Sequence, residues 1–417
     1  MFPVNQGTLL YVAENRDMLF CYFSLGLLLQ LPVTVMRFFL VDTIGLGPGE
    51  LAEFAALVAF PWAVKPVTAF FSENVVSRCV QRRVQVAVAY GLSGLCWSAF
   101  LFFSGDRGTT YLVGFYALLS SFFSSYADVC LDACMVRRIH RNSAIHGEGR
   151  LQSFTLSSRA FGGLVGSFLS GALALLLRPF LFISLLHLVG VFCGLKLKSL
   201  PVHRDREGRS VHKSTWSTCS EMVKALAWSE RLVFVGVLFV LATPVSDFAI
   251  MQFFFQKKKN VSPMIFSVSD ATASVMIIAG SLFFNAFLKQ KPWQSIVMLT
   301  QCVLFILLTT NMLMITGVIE VNASFYLIVR SLVGSFFGQI GFMPLAVKAA
   351  DLVPEGFEGT FYSLYMSTVN LGSVIGEEMS GLLTRALGKT LNATAVFYVF
   401  VVVHNIASLL CFHVAYG

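Results

Sequence analysis

The feature that most constrains this chain is a succession of about twelve apolar windows of about 20 residues, the length an α-helix needs to cross the hydrocarbon of a bilayer. They fall at 18–40, 51–71, 85–104, 111–136, 151–173, 178–197, 231–255, 261–287, 293–317, 323–347, 360–384 and 391–414. Hydrophobic residues make up 56% of the chain and charged residues 12%, whereas a soluble domain is about 25% charged. Mean hydropathy is +0.75. No single globule has an interior large enough to hide so much apolar surface, so most of it must face lipid. Hydrocarbon does not solvate open backbone groups, which leaves helices or a closed barrel. The windows lack the strict alternation of barrel strands. The expected fold is an all-α membrane protein.

A net charge of +8 would suggest nucleic acid in a soluble protein, but here the basic residues collect in alternate loops and report topology instead. With the N-terminus inside, the inner segments hold Arg16, Arg78, Arg82, Arg83, Arg137, Arg138, Arg141, Arg150, Lys289, Lys291 and Lys348. The outer loops hold fewer cations, although the run Lys257, Lys258, Lys259 goes against the rule. Three glycosylation sequons, at Asn260, Asn322 and Asn392, all fall in expected outer loops. The expectation is a multi-pass protein with both termini cytoplasmic, in the plasma membrane. The polar start of the chain has no charged region followed by a short apolar core, so no cleaved targeting segment is expected. The nine cysteines are scattered singly apart from Cys130 and Cys134, which implies no disulfide framework, metal site or cofactor.

The longest polar stretch, 201–230, sits near the midpoint and reads as a cytoplasmic linker. It divides the chain into a tail at 1–17, an N-terminal bundle at 18–200 and a C-terminal bundle at 231–417. Internal similarity supports duplication. The run from Gly162 to Gly171 recurs from Gly372 to Gly381 with glycine, serine and aliphatic positions in register, and Pro32-Val33-Thr34 is echoed by Pro244-Val245-Ser246. Helices 5 and 11, and helices 1 and 7, are then counterparts, as in transporters built from repeats. Gly162 and Gly166, like Gly372 and Gly376, stand four residues apart and form small-residue seams for close helix approach. Such a seam suits a sliding interface between halves, and it equally suits ordinary tight packing.

Ionisable groups inside spans are costly unless paired or facing water, and so mark function. Lys65 lies between Pro61 and Pro66, whose missing N–H groups free carbonyls in helix 2. Asp128 and Asp132 are four apart and share one face of helix 4. Lys65, Asp128 and Asp132 fall at similar depth, which suggests a gate or proton relay as readily as a permanent ion pair. Arg159 and Arg330, one in each half and nearer mid-membrane, are candidates to hold an anionic substrate group. Asp247, Asp270, Glu377 and Glu378 complete the set. Gly388-Lys389-Thr390 lacks the earlier glycine and the strand of a phosphate loop. Asp128 and Asp132 also admit a metal-dependent intramembrane transferase as an alternative, although a second acidic cluster is missing. A non-transporting receptor on a transporter fold is a third reading.

Several strings closely resemble one family. They are Tyr22-Phe23 with Gly26-Leu27, Asp42 with Gly45-Leu46, Pro48, Glu50 and Leu51, Pro61-Trp62 with Lys65-Pro66, Asp128 with Asp132-Ala133, and Leu151-Gln152-Ser153. Pro244 with Asp247, Met343-Pro344, Ala350 with Pro354-Glu355-Gly356, Glu358-Gly359-Thr360, and Met366-Ser367 with Asn370-Leu371-Gly372 continue the series. The chain resembles the folate-biopterin transporter family within the major facilitator superfamily over nearly its whole length. It departs from the family pattern at Ala69, at Ser72-Glu73 and at Arg137-Arg138.

The resemblance implies two pseudo-symmetric six-helix bundles and a monomeric carrier, not an enzyme, for anionic folates or pterins, coupled to protons or working by exchange, with membrane lipid around it and no nucleic-acid partner. Asp270 or Asp128 would meet the heteroaromatic head and Arg159 or Arg330 the acidic tail, with Asp247 nearby. Read from the residues themselves, the inner loop at 137–150 is basic while its counterpart at 348–358 bears Asp351, Glu355 and Glu358, which suits a closing salt-bridge gate between them.

Overall fold

The computed structural model describes residues 13–74, 76, 79–102, 109–146, 150–198, 224, 229–243, 246–352, 358–387, 398–399, 401–403, 405–407 and 410. A helix satisfies its backbone groups within one segment, as lipid requires, and most of the described residues are helical. The N-terminal half contains α1 (Arg16–Ile44), α2 (Pro48–Ser72), α3 (Arg82–Phe102), α4 (Thr110–His146), α5 (Arg150–Leu173) and α6 (Pro179–Lys196). The C-terminal half contains α7 (Ser229–Ala242, resuming as Phe248–Phe253 and Phe254–Lys258), α8 (Pro263–Leu288), α9 (Trp293–Ile315), α10 (Ala323–Asp351) and α11 (Glu358–Leu387). These match eleven of the expected windows, and the twelfth, 391–414, lies mostly outside the described residues. So does the expected linker, apart from Lys224, Ser229 and Glu230. The face on which α1 begins is called proximal below, and the face on which it ends distal.

Helix packing carries the repeat. In the first half α1 packs on α5, and in the second α7 packs on α11. Between the halves α2 lies against α11, and α5 lies against α8. If α5 and α11 are counterparts, then so are α2 and α8, and these two contacts are one contact repeated by the pseudo-twofold axis. A core of Met18, Tyr22, Leu25, Tyr90, Cys130 and Ile183 fills the first half, and another of Phe234, Leu238, Val297, Phe361 and Tyr365 lies in the second.

The counterpart helices α1 and α7 break alike. Helix α1 is interrupted at Leu31–Pro32, since Pro32 has no N–H to continue the ladder. The chain then runs as α-helix from Val33 to Phe38 and as a π-turn from Phe39 to Ile44. Helix α7 is interrupted after Ala242 and resumes as α-helix at Phe248 and as π-turn at Phe254. Counted from where each helix resumes, Val33 matches Phe248 and Phe39 matches Phe254, three residues on from the register of the Pro32 and Pro244 strings, which puts Asp42 opposite Lys257. These two residues pair across the axis at 2.7 Å, which accounts for a cation in a loop where the charge rule disfavours one. At the α1 break, the Thr34 N–H donates to the Ser170 hydroxyl of α5 at 2.9 Å.

The glycine seams divide their work. A Cβ on Gly162 would collide with the Phe23 carbonyl of α1, and one on Gly166 would press on Gln30 of α1 at 3.1 Å. Both glycines therefore face the same half. On the other side of α5, Gly171 and Ser167 meet Ser267 of α8 across the halves. In α11, a Cβ on Gly372 would meet Ala242 of α7 at 2.7 Å, and Gly376 is buried. The Gly162→Ala variant is expected to lose roughly 1–3 kcal/mol through overpacking and to melt at lower temperature in detergent. The Gly236→Ala variant, with nothing within 4 Å of the added carbon, should melt no lower than the parent. Equal melting of the two variants would refute the close-approach assignment.

Candidate functional site

Two charged networks and a cavity occupy the membrane interior. In the first half, Asp128 of α4 is fully buried, ion-paired to Lys65 of α2 and 3.1 Å from Nη1 of Arg159 of α5. Trp62 lies beneath both cations, its ring 4.4 Å from the Lys65 ammonium and 5.8 Å from the Arg159 guanidinium. The indole N–H donates to Ser121 at 3.1 Å, and Ser121 donates to the Val58 carbonyl at 2.6 Å. Pro66 leaves the Trp62 carbonyl without its usual helical donor, and Asn370 of α11 supplies one across the halves at 3.1 Å. Asp132, one turn from Asp128, accepts from the Tyr22 hydroxyl of α1 at 2.6 Å.

In the second half, Asp247 at the resumption of α7 accepts from Asn311 Nδ2 at 2.7 Å, from Arg330 Nη2 at 3.3 Å and from the Tyr398 hydroxyl at 3.3 Å. Arg330 Nε and the Tyr326 hydroxyl both donate to Asn311 Oδ1, at 3.2 and 2.7 Å. The Asp128–Arg159 and Asp247–Arg330 pairs are not symmetry mates, because the first joins α4 to α5 and the second α7 to α10.

A cavity of about 290 Å³ lies within the second half, walled by Phe248, Phe255, Phe266, Asp270 and Arg330 among others, with Arg37 reaching it from the first half. Arg37 Nη1 donates to Asp270 Oδ2 at 2.6 Å, tying α1 to α8. Further ties between the halves are Asp42 with Lys257, Asp42 with Gln256 at 3.0 Å, and Glu53 with Arg385. Among the described residues, the hydrogen bonds and ion pairs that join the halves lie from mid-membrane to the distal face.

The structure thus places Asp270 and Arg330 on the cavity wall and Asp247 behind Arg330. It brings Lys65, Asp128 and Arg159 together, with Asp132 beside them on Tyr22. Asp128, held by two cations, and Asp132 form no group with a further ligand, and among the described residues no cluster of three or more His, Cys, Asp or Glu is gathered for a metal. Nothing in this geometry favours the transferase alternative. Glu355 lies outside the described residues, as do the side chains of Asp351 and Glu358 and the sequon Asn392. Two cations of the expected gate region have partners within their own halves: Arg138 grips Asp17 at 3.0 and 2.5 Å, and Lys348 meets Glu230 at 3.0 Å. Asn260 and Asn322 are exposed on the distal face, and Asn322 Oδ1 accepts the Phe325 N–H at the start of α10. Arg37 stands only three residues from the end of the expected window at 40, where a cation reads as facing the membrane edge, whereas the helix runs on to Ile44 and places it deeper.

Residues 25–416 match the BT1 family. The chain is 29% identical to a folate-biopterin transporter of Synechocystis sp., over 95% of this chain and 80% of that one. It is 24% identical to folate transporter 1 of Plasmodium falciparum, over 90% and 75% of the two chains. Among solved structures, the nucleoside transporter NupG superposes with a TM-score of 0.73 at 11% identity, covering 95% of this chain and 98% of that one. The D-xylose-proton symporter superposes with a TM-score of 0.67 at 13% identity, covering 96% of each. The described helices take the major facilitator fold of two helix bundles that these solved structures share.

The buried triad makes a stability prediction. The Asp128→Asn variant leaves Lys65 and Arg159 facing each other without their carboxylate, a loss of roughly 3–5 kcal/mol for a broken buried ion pair. The Asp132→Asn variant keeps an acceptor for Tyr22 and should cost about 1 kcal/mol. Thermal melting of the purified variants tests the order, and equal shifts would contradict it.

Proposed function

The chain belongs to the BT1 family, and on that premise we propose that it is a secondary carrier that moves folates or pterins across a membrane by alternating access. The observation that carries the reading is the cavity of the second half, reached by Arg37 of the first, where aromatic side chains and charges of both signs meet. Phe248, Phe255 and Phe266 offer ring faces for a flat heteroaromatic head, Asp270 offers a carboxylate for its N–H edge, and Arg330 offers a cation for an acidic tail. The volume of about 290 Å³ sits at the small end of ligand cavities, about 300–1,000 Å³. A cavity of that size suits a flat heteroaromatic head.

Loop charge supports a cytoplasmic proximal face, in which case this conformation is closed to the outside. The two aspartates of helix 4 then differ in role. Asp128 is balanced by two cations and serves as a fixed strut. Asp132 meets a tyrosine hydroxyl, and it is the carboxylate that takes up a proton during the cycle. The proposal puts the carrier in the plasma membrane and has it work as a monomer.

Uptake of labelled folic acid and of biopterin into proteoliposomes, with and without a proton gradient, tests the assignment. Accumulation of at least one is expected, and failure to take up either would sink it. The Arg330→Ala variant should lower uptake at least tenfold. The Asp132→Asn variant should remove the response to an imposed gradient, and a response equal to the parent's would take Asp132 out of the coupling.

A further inference from the structure

Arg37 is the charge that the sequence reading passed over, and its surroundings differ from those of the other cavity arginine. Arg330 is held by Asp247 and Asn311 of its own half, at 3.3 and 3.2 Å, so it forms part of a rigid wall. Arg37 makes its ion pair with Asp270 of the opposite half, at 2.6 Å. Both members of that pair line the cavity, with side chains 14% and 20% exposed.

We propose that Arg37 is a second carboxylate-binding group of the cavity, beside Arg330, and that its ion pair with Asp270 is a tie between the halves which a ligand carboxylate takes over. The proposal rests on the carrier reading above and names the ligand class that Arg37 recognises. A guanidinium has five N–H donors, and the Asp270 bond engages Nη1 of Arg37. The rings of Phe248 and Phe266, at 5.3 and 5.9 Å, attract the cation through their faces without consuming donors. Its plane is therefore held while an edge stays available. A ligand carboxylate that meets two N–H groups side by side makes a stronger, bidentate contact than the single bond to Asp270.

The consequence is directional. While the halves are tied, a carboxylate that takes the Nη1–Nη2 edge of Arg37 must displace Asp270, and one on the remaining edge lies against its negative charge. Once they part, it meets no competitor. A ligand shifts a conformational equilibrium only by its difference in affinity for the two states, so a carboxylate-bearing ligand favours parting of α1 from α8 at the cavity. A ligand that lacks the carboxylate exerts no such pull. The released Asp270 faces the cavity, where the N–H edge of a bound heterocycle can occupy it.

Two measurements on the full-length protein in lipid nanodiscs decide the matter. The first is the ratio of affinities for folic acid, which carries carboxylates, and biopterin, which carries none. Arg37→Gln should lower that ratio at least tenfold, and Arg37→Lys, which keeps the charge but not the fork, should lower it less. An unchanged ratio overturns the binding role, and the Lys variant decides it if the Gln variant does not fold. The second measurement is hydrogen exchange across 43–48 and 258–262 without ligand. Asp270→Asn should raise exchange in both distal segments, and parental exchange overturns the tie. A parent protein that binds neither compound overturns the carrier reading and with it the binding role, and exchange in Asp270→Asn then judges the tie alone.

Discussion

Hydrocarbon solvates neither a carbonyl nor an N–H, and two proline sites in the described helices are shaped by that constraint. The break at Pro32 is answered by Ser170, and the carbonyl that Pro66 strands on Trp62 is answered by Asn370. These replacements come from other helices, so each break also fixes the position of a neighbour. The Asn370 bond reaches across the halves, which makes a proline in helix 2 part of the machinery that registers one bundle against the other. Prolines in spans of this kind are sites of tertiary specification as much as of weakness.

The same economy governs charge. An isolated ion in the membrane is costly, and in this structure Lys65, Arg159 and Arg330 each lie against an aspartate. Two designs result. The Asp128 and Asp247 networks are closed within their own halves and hold each bundle rigid. The Arg37–Asp270, Asp42–Lys257 and Glu53–Arg385 pairs join opposite halves. Rigid bodies joined by separable ties are what alternating access requires.

How much of this was legible in the sequence depends on the range of the interaction. Span number and approximate limits follow from local hydropathy, and the α5–α11 equivalence follows from a ten-residue run that both halves retain. The proximity of Lys65 to Asp128 was open to inference because depth along two adjacent helices can be counted. Arg159 was read as a substrate group, yet it completes the Asp128 network, because helix rotation is set by packing that periodicity does not reveal: the moment of a span that is apolar all round points nowhere. The seam of Gly162 and Gly166 was readable as a close approach, but its partner was not, and that partner proves to be α1 of the same half. The Arg37–Asp270 pair joins residues far apart in sequence and carries no local signature at all.

The separable ties also set the energetic scale of the switch. Lys257 and Asp42 are 42% and 45% exposed in their side chains, and Arg385 is 54% exposed. Ion pairs with that much solvent contribute about 0–1 kcal/mol each, so the distal charges alone hold the halves weakly. Most of the resistance to parting then falls to the α2–α11 and α5–α8 contacts, where Gly49 and Gly381, and Gly171 and Ser267, bring backbones close together. Van der Waals packing of small residues is short-ranged and is lost within an ångström or so of separation. A carrier built this way has a sharp closed state that needs no large charge to release it. Moving such an equilibrium from about 1:99 to 99:1 takes about 5.5 kcal/mol of differential binding, which one bidentate carboxylate contact together with stacking of a heteroaromatic ring is of the right order to supply.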